Sequence, residues 1–552
     1  MKRIILVKPR IKYEILVFIL FVVSRLPDLG YDTFNTDVWK WKARIFDFGT
    51  GIFTLDFAKT IQKYHPGVTL MWLGTAGVKV YNLYYQALLH IRPPDNDIST
   101  IFGLHFTQKL AVVIAIALTV ALIFYALKSL FGIKYAVITV LLMSFEPLYV
   151  ALTRELHLEG LMTTFMLASF VWLLFYLRSE RKFRKLVLSA AFAALAFLTK
   201  TSSLFLVPFS ALVIGYDMFL MHKTQTSLIN AVKTYLVWLL LTALFFFLGW
   251  PGMWVAPFAA LKTVYTGISD VGIEGGHIQL YFGKLVTDPG ITFYFVVLWL
   301  KSSLYLIAGL LGFAFLLLTN KNAFPKDKRA TVLYSLFFFL FYFAEISIPS
   351  KKLDRYLLPS IVVLFLPAGF FYEYVYVWLS GWKRLLISTV FLIFLGVTMV
   401  RLHPDYFSYY NPISGGLEKG IWILEPKWLI GQKAIEKYFV GLVKSGAVLP
   451  FDDYASFDDV EKLRGRLIVA FPEKYYTQVY PFIRAAKGLP AVINVTAQAK
   501  YASHMVYPVW DDTSEQEKRF VLRYEDAIYL HDVKIFNIYY RVPIELGTVG
   551  AH

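Results

Sequence analysis

An acidic side chain, Asp37, stands among aromatic and amide residues soon after the first apolar run of the chain. A carboxylate at this place could take a proton from a hydroxyl or amine nucleophile as it attacks, and one such base is enough when the attacked carbon inverts. The neighbouring Trp39 and Trp41 could stack on the face of a sugar. The alternative is that Asp37 caps a helix and that the tryptophans mark a membrane interface.

The same polar segment, residues 33–73, contains a histidine directly before a proline. A residue before proline is held in an extended conformation, so His65 could aim a hydrogen-bond donor into a cleft beside Tyr64. An ordinary turn is the alternative interpretation of Tyr64 to Gly67.

Charged residues also cluster between the third and fourth apolar runs, from Glu146 to Glu159. Arg154 could bind a phosphate with its planar fork of donors. Glu159 could orient that arginine or bind a metal ion. The alternative is an internal Arg–Glu pair that locks a tight helical hairpin.

A short basic segment, residues 349–359, contains Lys351, Lys352 and Arg355. These cations would suit an anionic phosphate whose charge grows in a transition state. Lys200, at the end of another apolar run, adds a further cation. A basic loop without such a role is the alternative.

The elements that position these residues are predicted to be membrane helices. Hydrophobic residues make up 57% of the chain and charged residues 17%, and the mean hydropathy is +0.56. A helix needs about 20 apolar residues to cross a bilayer. The sequence predicts about eleven such helices, near residues 13–29, 103–126, 135–152, 158–177, 186–199, 202–220, 234–250, 302–319, 331–348, 356–378 and 385–400.

The first apolar run is predicted to be a retained helix, because no small-residue cleavage site follows it. The formal charge of +17 falls mostly in short connections between apolar runs, which is typical of membrane orientation and not of nucleic-acid binding. The absence of cysteine excludes disulfides, thiolate metal sites and a cysteine nucleophile.

The positive-inside rule, applied to alternate loops, predicts that three larger regions lie outside the membrane: residues 30–102, 251–301 and those after Arg401. Two apolar stretches, 67–85 and 291–300, are predicted to be interfacial helices. We therefore predict a transmembrane domain over residues 1–401.

Residues 402–552 are predicted to form a small external α/β domain. Segments 466–472 and 533–542 have the composition of strands, and segments 429–443 and 476–487 have the pattern of amphipathic helices.

These motifs together resemble the GT-C superfamily of polyprenyl-phosphate-sugar-dependent glycosyltransferases, in particular protein O-mannosyltransferases and lipid A aminoarabinose transferases. The order of the pieces along the chain carries the resemblance. They are Asp37 in the first loop, HPGVTLMWL (65–73), Arg154 and Glu159 in an R-x4-D-like pattern, FLTK (197–200), KKLDRYLLP (351–359) and HPDYFSYYNPISGG (403–416).

The chain departs from the family pattern at three places. Val38 follows Asp37 where many relatives have a second acid, Gly67 replaces a second proline, and Glu159 replaces an aspartate.

The resemblance implies a GT-C fold and transfer of a monosaccharide from a polyprenyl-phosphate donor to a protein, lipid or glycan acceptor, with inversion. Asp37 would be the base, and Arg154, Lys351, Lys352, Arg355 and His65 would bind the donor phosphate. Supporting or acceptor-side roles would fall to Trp39, Tyr64, Glu159 and His277.

The implied setting is a prokaryotic plasma membrane, with the site and the C-terminal domain extracytoplasmic and a lipid groove for the donor. No cofactor is required by the pattern, although His and Glu side chains could hold a divalent cation.

Two alternatives stay open at this point. A transporter or flippase of lipid-linked sugars would also need a lipid groove and phosphate-binding cations, although no internal repeat or pair of broken helices is visible in the sequence. A catalytically inactive GT-C scaffold is the other alternative, because the second acid of the first loop is missing.

Overall fold

The computed structural model describes residues 12–91, 93, 100–220, 225–273, 275–320, 324–451, 465–484, 492–495, 502–511 and 522–541. Within them the chain is mainly helical. The helices are α1 (Lys12–Val23), α2 (Val38–Phe53), α3 (Val68–Leu89), α4 (Ile101–Phe131), α5 (Ile133–Ser144), α6 (Pro147–Thr153), α7 (Leu158–Arg178), α8 (Phe183–Thr199), α9 (Leu206–Gly215), α10 (Gln225–Gly249), α11 (Gly252–Val255), α12 (Pro257–Ile273), α13 (Phe293–Lys301), α14 (Leu304–Thr319), α15 (Lys326–Ser347), α16 (Leu358–Val363), α17 (Phe365–Trp378), α18 (Gly381–Leu402), α19 (Gly416–Ile423), α20 (Gln432–Lys444) and α21 (Glu473–Arg484).

Short 3₁₀ turns extend or join several of these helices. They are Phe57–Thr60, Thr201–Phe205, Asp354–Leu357, Tyr406–Ser408 and Pro412–Ser414.

The described residues contain six helical stretches that are long and apolar enough to cross a membrane, or nine if each of three bent helix pairs is one span. The two further predicted spans fall on α1 and α8, which have 12 and 17 residues. All eleven predicted stretches thus fall on helices. The chain is a multi-pass membrane protein, and the count of eleven spans stays a prediction.

The three bent pairs are α5 with α6 at 71°, α13 with α14 at 106°, and the Asp354–Val363 stretch with α17 at 44°. Two of these breaks are joined by hydrogen bonds. The backbone N–H and hydroxyl of Ser303, between α13 and α14, donate to the carboxylate of Glu146 at 3.0 and 2.5 Å. Glu146 lies between α5 and α6, so its buried carboxylate finds partners at the start of α14.

The central helix is α7, whose apolar window is buried on every side. It packs against α4 and α8. A helix that is apolar all round is stable only when other elements cover it completely. This rigid centre carries Glu159 in its first turn and His157 directly before it, so both side chains are held by packed backbone.

The C-terminal region forms a five-stranded sheet in the order β4-β3-β5-β7-β6. The strands are β3 (Ile468–Phe471), β4 (Val492–Val495), β5 (His504–Pro508), β6 (Leu522–Leu530) and β7 (Val533–Arg541), and a separate hairpin earlier in the chain contains β1 (Gln279–Tyr281) and β2 (Lys284–Val286). Strand β3 pairs in parallel with β4 and β5, and β7 pairs antiparallel with β5 and β6.

The predicted strands at 466–472 and 533–542 are confirmed as β3 and β7, and the predicted helices as α20 and α21. Residues 485–487 of the second predicted helix and residue 542 of the second predicted strand lie outside the described residues. The predicted fold class, a mainly α membrane protein with a small C-terminal α/β region, is therefore confirmed.

The segment after α18 is built into the helical part of the protein before the sheet begins. The backbone N–H of Asn411 donates to the carbonyl of Leu300 at 2.7 Å. The Lys301 ammonium donates to the carbonyls of Phe407 and Tyr409, each at 3.0 Å. Residues 403–430 thus connect the helical part to the sheet.

Candidate active site

A cavity of about 600 Å³, called here the cationic cavity, lies where the loop before α2, the start of α7 and the C-terminal region meet. Its wall carries eight lysines and arginines against three carboxylates. The basic residues are Lys40, Arg44, Lys63, Lys200, Lys351, Arg355, Lys427 and Lys474, and the carboxylates are Asp37, Glu159 and Glu425. Such a wall favours an anionic ligand.

Asp37 stands at the position before α2 but makes no side-chain capping bond within the described part of the chain. Its carboxylate lines the cationic cavity and is 25% exposed. Three cationic groups surround it: His157 Nε2 at 3.3 Å, Lys40 Nζ at 3.6 Å and an Arg355 nitrogen at 3.7 Å. The helix-cap alternative for this side chain is therefore not realised.

His157 lies between two carboxylates. Its Nε2 faces Asp37, and its Nδ1 is in contact with Glu159. Glu159 also pairs with Lys200 Nζ at 2.8 Å and lies 3.6 Å from Arg355 Nε. Because His157 is only 5% exposed, this chain of charges is largely shielded from water.

The charges in this chain determine the ionisation of its members. Burial opposes ionisation of Asp37, but the hydrogen bond and charge of His157, with the charge of Arg355, hold the Asp37 pKa well below its usual range. Burial would lower the pKa of His157, but the carboxylates of Glu159 and Asp37 outweigh it and raise that pKa. The site therefore favours an ionised Asp37 beside a protonated His157.

A buried polar network fixes the loop that carries Asp37. The backbone N–H of Asp37 donates to the Asn35 side chain at 3.0 Å, and Asn35 donates to Glu155 at 2.8 Å. Glu155 also lies 3.5 Å from the ammonium of Lys109, which pairs with Asp32 at 2.8 Å. Buried charges are tolerated when they are paired in this way.

Arg154 belongs to this network and does not line the cationic cavity. Its guanidinium pairs with Asp32 at 2.8 Å and donates to the carbonyls of Arg25 and Pro27 at 2.6 Å each. Burial opposes ionisation of Asp32, but the charges of Lys109 and Arg154 lower its pKa to about 2. The structure thus gives Arg154 a partner other than a donor phosphate.

Tyr64 and His65 line the cavity from the other side. Burial and the Lys200 charge lower the pKa of His65 well below its usual value, and its Nδ1 lies 3.0 Å from the hydroxyl of Thr201. Gly67 follows with φ near 60°, and a β-carbon there would lie 2.4 Å from the Trp41 ring. Glycine, in place of a second proline, tolerates this positive φ and, having no β-carbon, leaves room for the Trp41 ring.

The remaining predicted residues divide into two groups. His277, Lys351 and Arg355 line the cationic cavity. Two others do not: Lys352 is 3% exposed and pairs with Asp288 at 2.9 Å, and the Trp39 indole donates to the carbonyl of Thr477 at 2.8 Å. Trp41, the second predicted tryptophan, does line the cavity.

Sequence reasoning gave no site role to several cavity residues. Lys40 and Arg44 are among them. Their spacing from Asp37 and Trp41 places all four residues on one face of a helix, and this pattern is present in the sequence. His157 was visible only as part of a charged cluster. The residues from the C-terminal region, Trp428 among them, carry no local signal, because they reach the cavity only through the tertiary fold.

Two apolar crevices lie against α9 and α10. One, of about 290 Å³, is lined by Pro66, Thr201, Val207 and Leu239 among others. The other, of about 550 Å³, continues along the same two helices near Tyr235. Pro66 lines the first crevice while His65, its neighbour, lines the cationic cavity, so the two spaces adjoin.

Among the described residues, no group of three or more His, Asp or Glu side chains is arranged to hold a metal ion.

Fold and site define a multi-pass helical membrane protein with a charged cavity beside an apolar crevice. Residues 98–250 match the model of the dolichyl-phosphate-mannose-protein mannosyltransferase family. This match confirms, over those residues, the predicted resemblance to GT-C glycosyltransferases. No curated protein sequence matches the chain.

Several solved structures are similar in overall arrangement. ArnT from Cupriavidus metallidurans, bound to undecaprenyl phosphate or in the apo state, is 14% identical with a TM-score of 0.46, over 96% of this chain and 98% of that one. An oligosaccharyltransferase from Archaeoglobus fulgidus is 10% identical with a TM-score of 0.42, over 92% of this chain and 72% of that one.

Proposed function

We propose that the protein is a membrane glycosyltransferase that moves a monosaccharide from a polyprenyl-phosphate donor to a hydroxyl or amine of a protein, lipid or glycan. Transfer takes place at the extracytoplasmic face of a prokaryotic plasma membrane. The anomeric carbon is inverted, and Asp37 is the base.

The observation that carries this proposal is the placement of an ionised carboxylate, Asp37, in a cavity whose wall carries eight basic residues against three carboxylates. A base and an anion-binding surface are the two groups that transfer from a sugar phosphate needs. The cavity, of about 600 Å³, has room for a sugar phosphate and part of an acceptor.

The bonds change in one displacement. The acceptor oxygen or nitrogen attacks the anomeric carbon as the bond from that carbon to the phosphate oxygen breaks. Asp37 takes the acceptor's proton, and the bonding electrons leave with the polyprenyl phosphate. Because the low pKa of Asp37 makes it a weak base, we expect proton transfer to come late, when the nucleophile has already lost electron density to the anomeric carbon.

Arg355 and Lys351 are assigned to the leaving phosphate, because both line the cavity and Arg355 can present a planar fork of donors. His65, neutral and beside Thr201, can hydrogen-bond the same phosphate or the sugar. Tyr64 and His277 remain acceptor-side or supporting residues. Arg154 and Lys352 are left out of this role, since each has a carboxylate partner outside the cavity.

The apolar crevices against α9 and α10 are assigned to the polyprenyl tail. Their lining is almost entirely apolar, and the first adjoins the cavity at Pro66. A lipid tail placed there would leave its phosphate beside His65.

The test is the release of polyprenyl phosphate. Purified full-length protein in detergent, given a radiolabelled polyprenyl-phosphate sugar and an extract of cell-envelope acceptors, should release polyprenyl phosphate and label an acceptor. A flippase would move the donor without cleaving it. Intact donor after long incubation, at a concentration where binding is measurable, would contradict the proposal.

A further inference from the structure

The region after the last predicted span lines part of the cationic cavity, and one of its residues there is a tryptophan. Trp428 is 6% exposed and lines the cavity. Its ring meets His157 edge-on, with 4.9 Å between ring centroids, and the Arg355 guanidinium lies over it, 4.6 Å from its centre. One aromatic side chain therefore touches two of the three cationic groups that face Asp37, His157 and Arg355.

The contact between Arg355 and Trp428 has the geometry of a cation–π interaction in a buried place, where such interactions are strongest. Arg355 lies 3.7 Å from Asp37 and 3.6 Å from Glu159, both longer than a hydrogen bond. Its Nε has no hydrogen-bond partner among the described residues. The ring of Trp428 is therefore a main constraint on where the guanidinium lies.

Trp428 is itself held firmly. Phe407 packs against it edge-on at 5.1 Å between centroids. The next residue, Leu429, donates its backbone N–H to Gln478 of α21 at 2.9 Å, so Trp428 is tied to the C-terminal domain.

A second contact from the same segment reaches the loop that carries Asp37. The Gln432 side chain accepts from the backbone N–H of Phe34 at 2.8 Å and donates to the Phe34 carbonyl at 2.9 Å. Gln432 is 1% exposed. A paired amide of this kind fixes a backbone position much as a strand partner does.

We infer that the segment from Trp428 to Gln432 is a positioning element of the active site: Trp428 holds Arg355 and His157, and Gln432 holds the loop before Asp37. Neither residue is assigned a chemical step. The inference rests on the proposed function, since it assigns Arg355 to the donor phosphate. It gives the C-terminal region a part in positioning the active site.

The two contacts act on different sides of the site, so they predict different losses. Replacing Trp428 with methionine keeps an apolar side chain of adequate bulk but removes the aromatic face. We expect W428M to weaken binding of undecaprenyl phosphate by about 30-fold, the size of a buried cation–π contact. W428F keeps a ring and should weaken binding by less than about threefold.

Q432E keeps the shape of the side chain but replaces the donor to the Phe34 carbonyl with an oxygen. It should leave binding of undecaprenyl phosphate within about twofold, while the rate of polyprenyl phosphate release falls at least tenfold. W422L, which changes an exposed tryptophan of α19, is the matched control and should alter neither quantity.

The experiment measures the dissociation constant of undecaprenyl phosphate for the full chain and the four variants in detergent, with thermal unfolding to check that each is folded. Unchanged binding in W428M, or binding weakened equally in W428M and Q432E, would overturn the inference. If W428M does not fold, W428L replaces it with the same expected loss of binding, and unchanged binding in W428L would overturn the inference.

A measurement without ligand keeps the inference separate from the proposed function. Diethyl pyrocarbonate modification of His157, located by mass spectrometry, should be faster in W428M than in wild type, because the covering ring is gone. If wild type does not bind undecaprenyl phosphate, the proposed function is wrong. Independently of ligand binding, modification of His157 that is no faster in W428M than in wild type would mean that the positioning role is wrong.

Discussion

Replacing His157 with glutamine should slow sugar transfer and change its dependence on pH. The imidazolium lies between Asp37 and Glu159 and is almost fully buried. Glutamine can still donate one hydrogen bond toward Asp37, but it carries no charge. The variant therefore removes the positive charge and leaves the shape of the side chain roughly intact.

The size of the effect follows from the contacts that are lost. A hydrogen bond to a charged group contributes about 1.5–3 kcal/mol, and glutamine would keep the weaker, neutral form of one contact. A net loss of about 1.5–3 kcal/mol corresponds to a transfer rate about 10- to 150-fold lower. A buried pair of this kind is little affected by salt, so the loss should persist at high ionic strength.

The pH dependence has a definite sign. Glu159 and Asp37 raise the pKa of His157, whereas burial and Arg355 act to lower it. The contribution of the imidazolium to the transfer rate is therefore complete below about pH 6.5 and is lost as the pH rises through the raised pKa. Wild-type transfer should therefore decline on the alkaline side, and H157Q should not show that decline.

The decline of the transfer rate at low pH should also change in H157Q. The pKa of Asp37 is held low chiefly by His157, so ionisation of Asp37 is complete above its ordinary pKa and is lost only as the pH falls through the lowered value. Without His157, burial raises the Asp37 pKa, and an acid decline should become visible at a higher pH.

The assay is release of labelled polyprenyl phosphate between pH 4 and 9. H531N, a substitution in an exposed turn of the sheet where asparagine also suits the positive φ, is the control and should match wild type. An H157Q profile that overlays the wild-type profile after scaling, or a rate within twofold of wild type, would refute the role given to His157.

Three further outcomes follow from contacts of the site. Removing charge at Lys351 and Arg355 together should weaken donor binding more than acceptor binding, measured as separate KM values, and equal effects would argue against the phosphate role. In G267A a β-carbon would lie 1.7 Å from the Tyr64 β-carbon, so the Tyr64 wall must shift and transfer should fall at least tenfold. G396A, in α18 with open space around it, should not reduce transfer; equal rates in G267A and wild type would contradict the close contact. K109M removes the cationic partner of the buried Glu155, while Asp32 keeps Arg154, and should destabilise the protein by about 3–5 kcal/mol. The loss would be seen as a lower unfolding midpoint in detergent, and an unchanged midpoint would mean that water or movement compensates the Glu155 charge instead.

Much of the fold could be predicted because hydropathy reports directly on membrane helices, and strand composition reports on β3 and β7. The bends could not be predicted in the same way. The 106° turn between α13 and α14 depends on a tertiary bond from Ser303 to Glu146, which no local pattern reveals. Residues 291–300 were predicted to be an interfacial helix, and α13 covers most of them, separated from α14 by this turn.

The residues of the candidate site could be predicted only in part, because their types are local but their partners are not. Asp37, His65, Lys351 and Arg355 were predicted and do line one cavity. Arg154 was predicted to bind phosphate because arginine beside a membrane suits an anion, but a carboxylate 122 residues away in the chain, Asp32, pairs with it. Residue type indicates which chemistry a side chain can do, while its partner is decided by packing.

The missing acid at Val38 has a physical counterpart in the structure. Val38 is fully buried and could not present a carboxylate to the cavity. A second carboxylate, Glu159, instead reaches the site from α7 and is linked to Asp37 through His157. The departure at position 38 therefore does not leave Asp37 as the sole acid of the site.

The most direct test of the account is turnover by Asp37→Asn. D37N keeps the shape of the side chain but cannot accept the proton, so release of polyprenyl phosphate from the sugar donor should fall at least about 100-fold, while the variant stays folded in detergent and still binds undecaprenyl phosphate. D47N, an exposed aspartate of α2 outside the cavity, should retain full turnover. Near-normal release by D37N would contradict the central claim that Asp37 is the base.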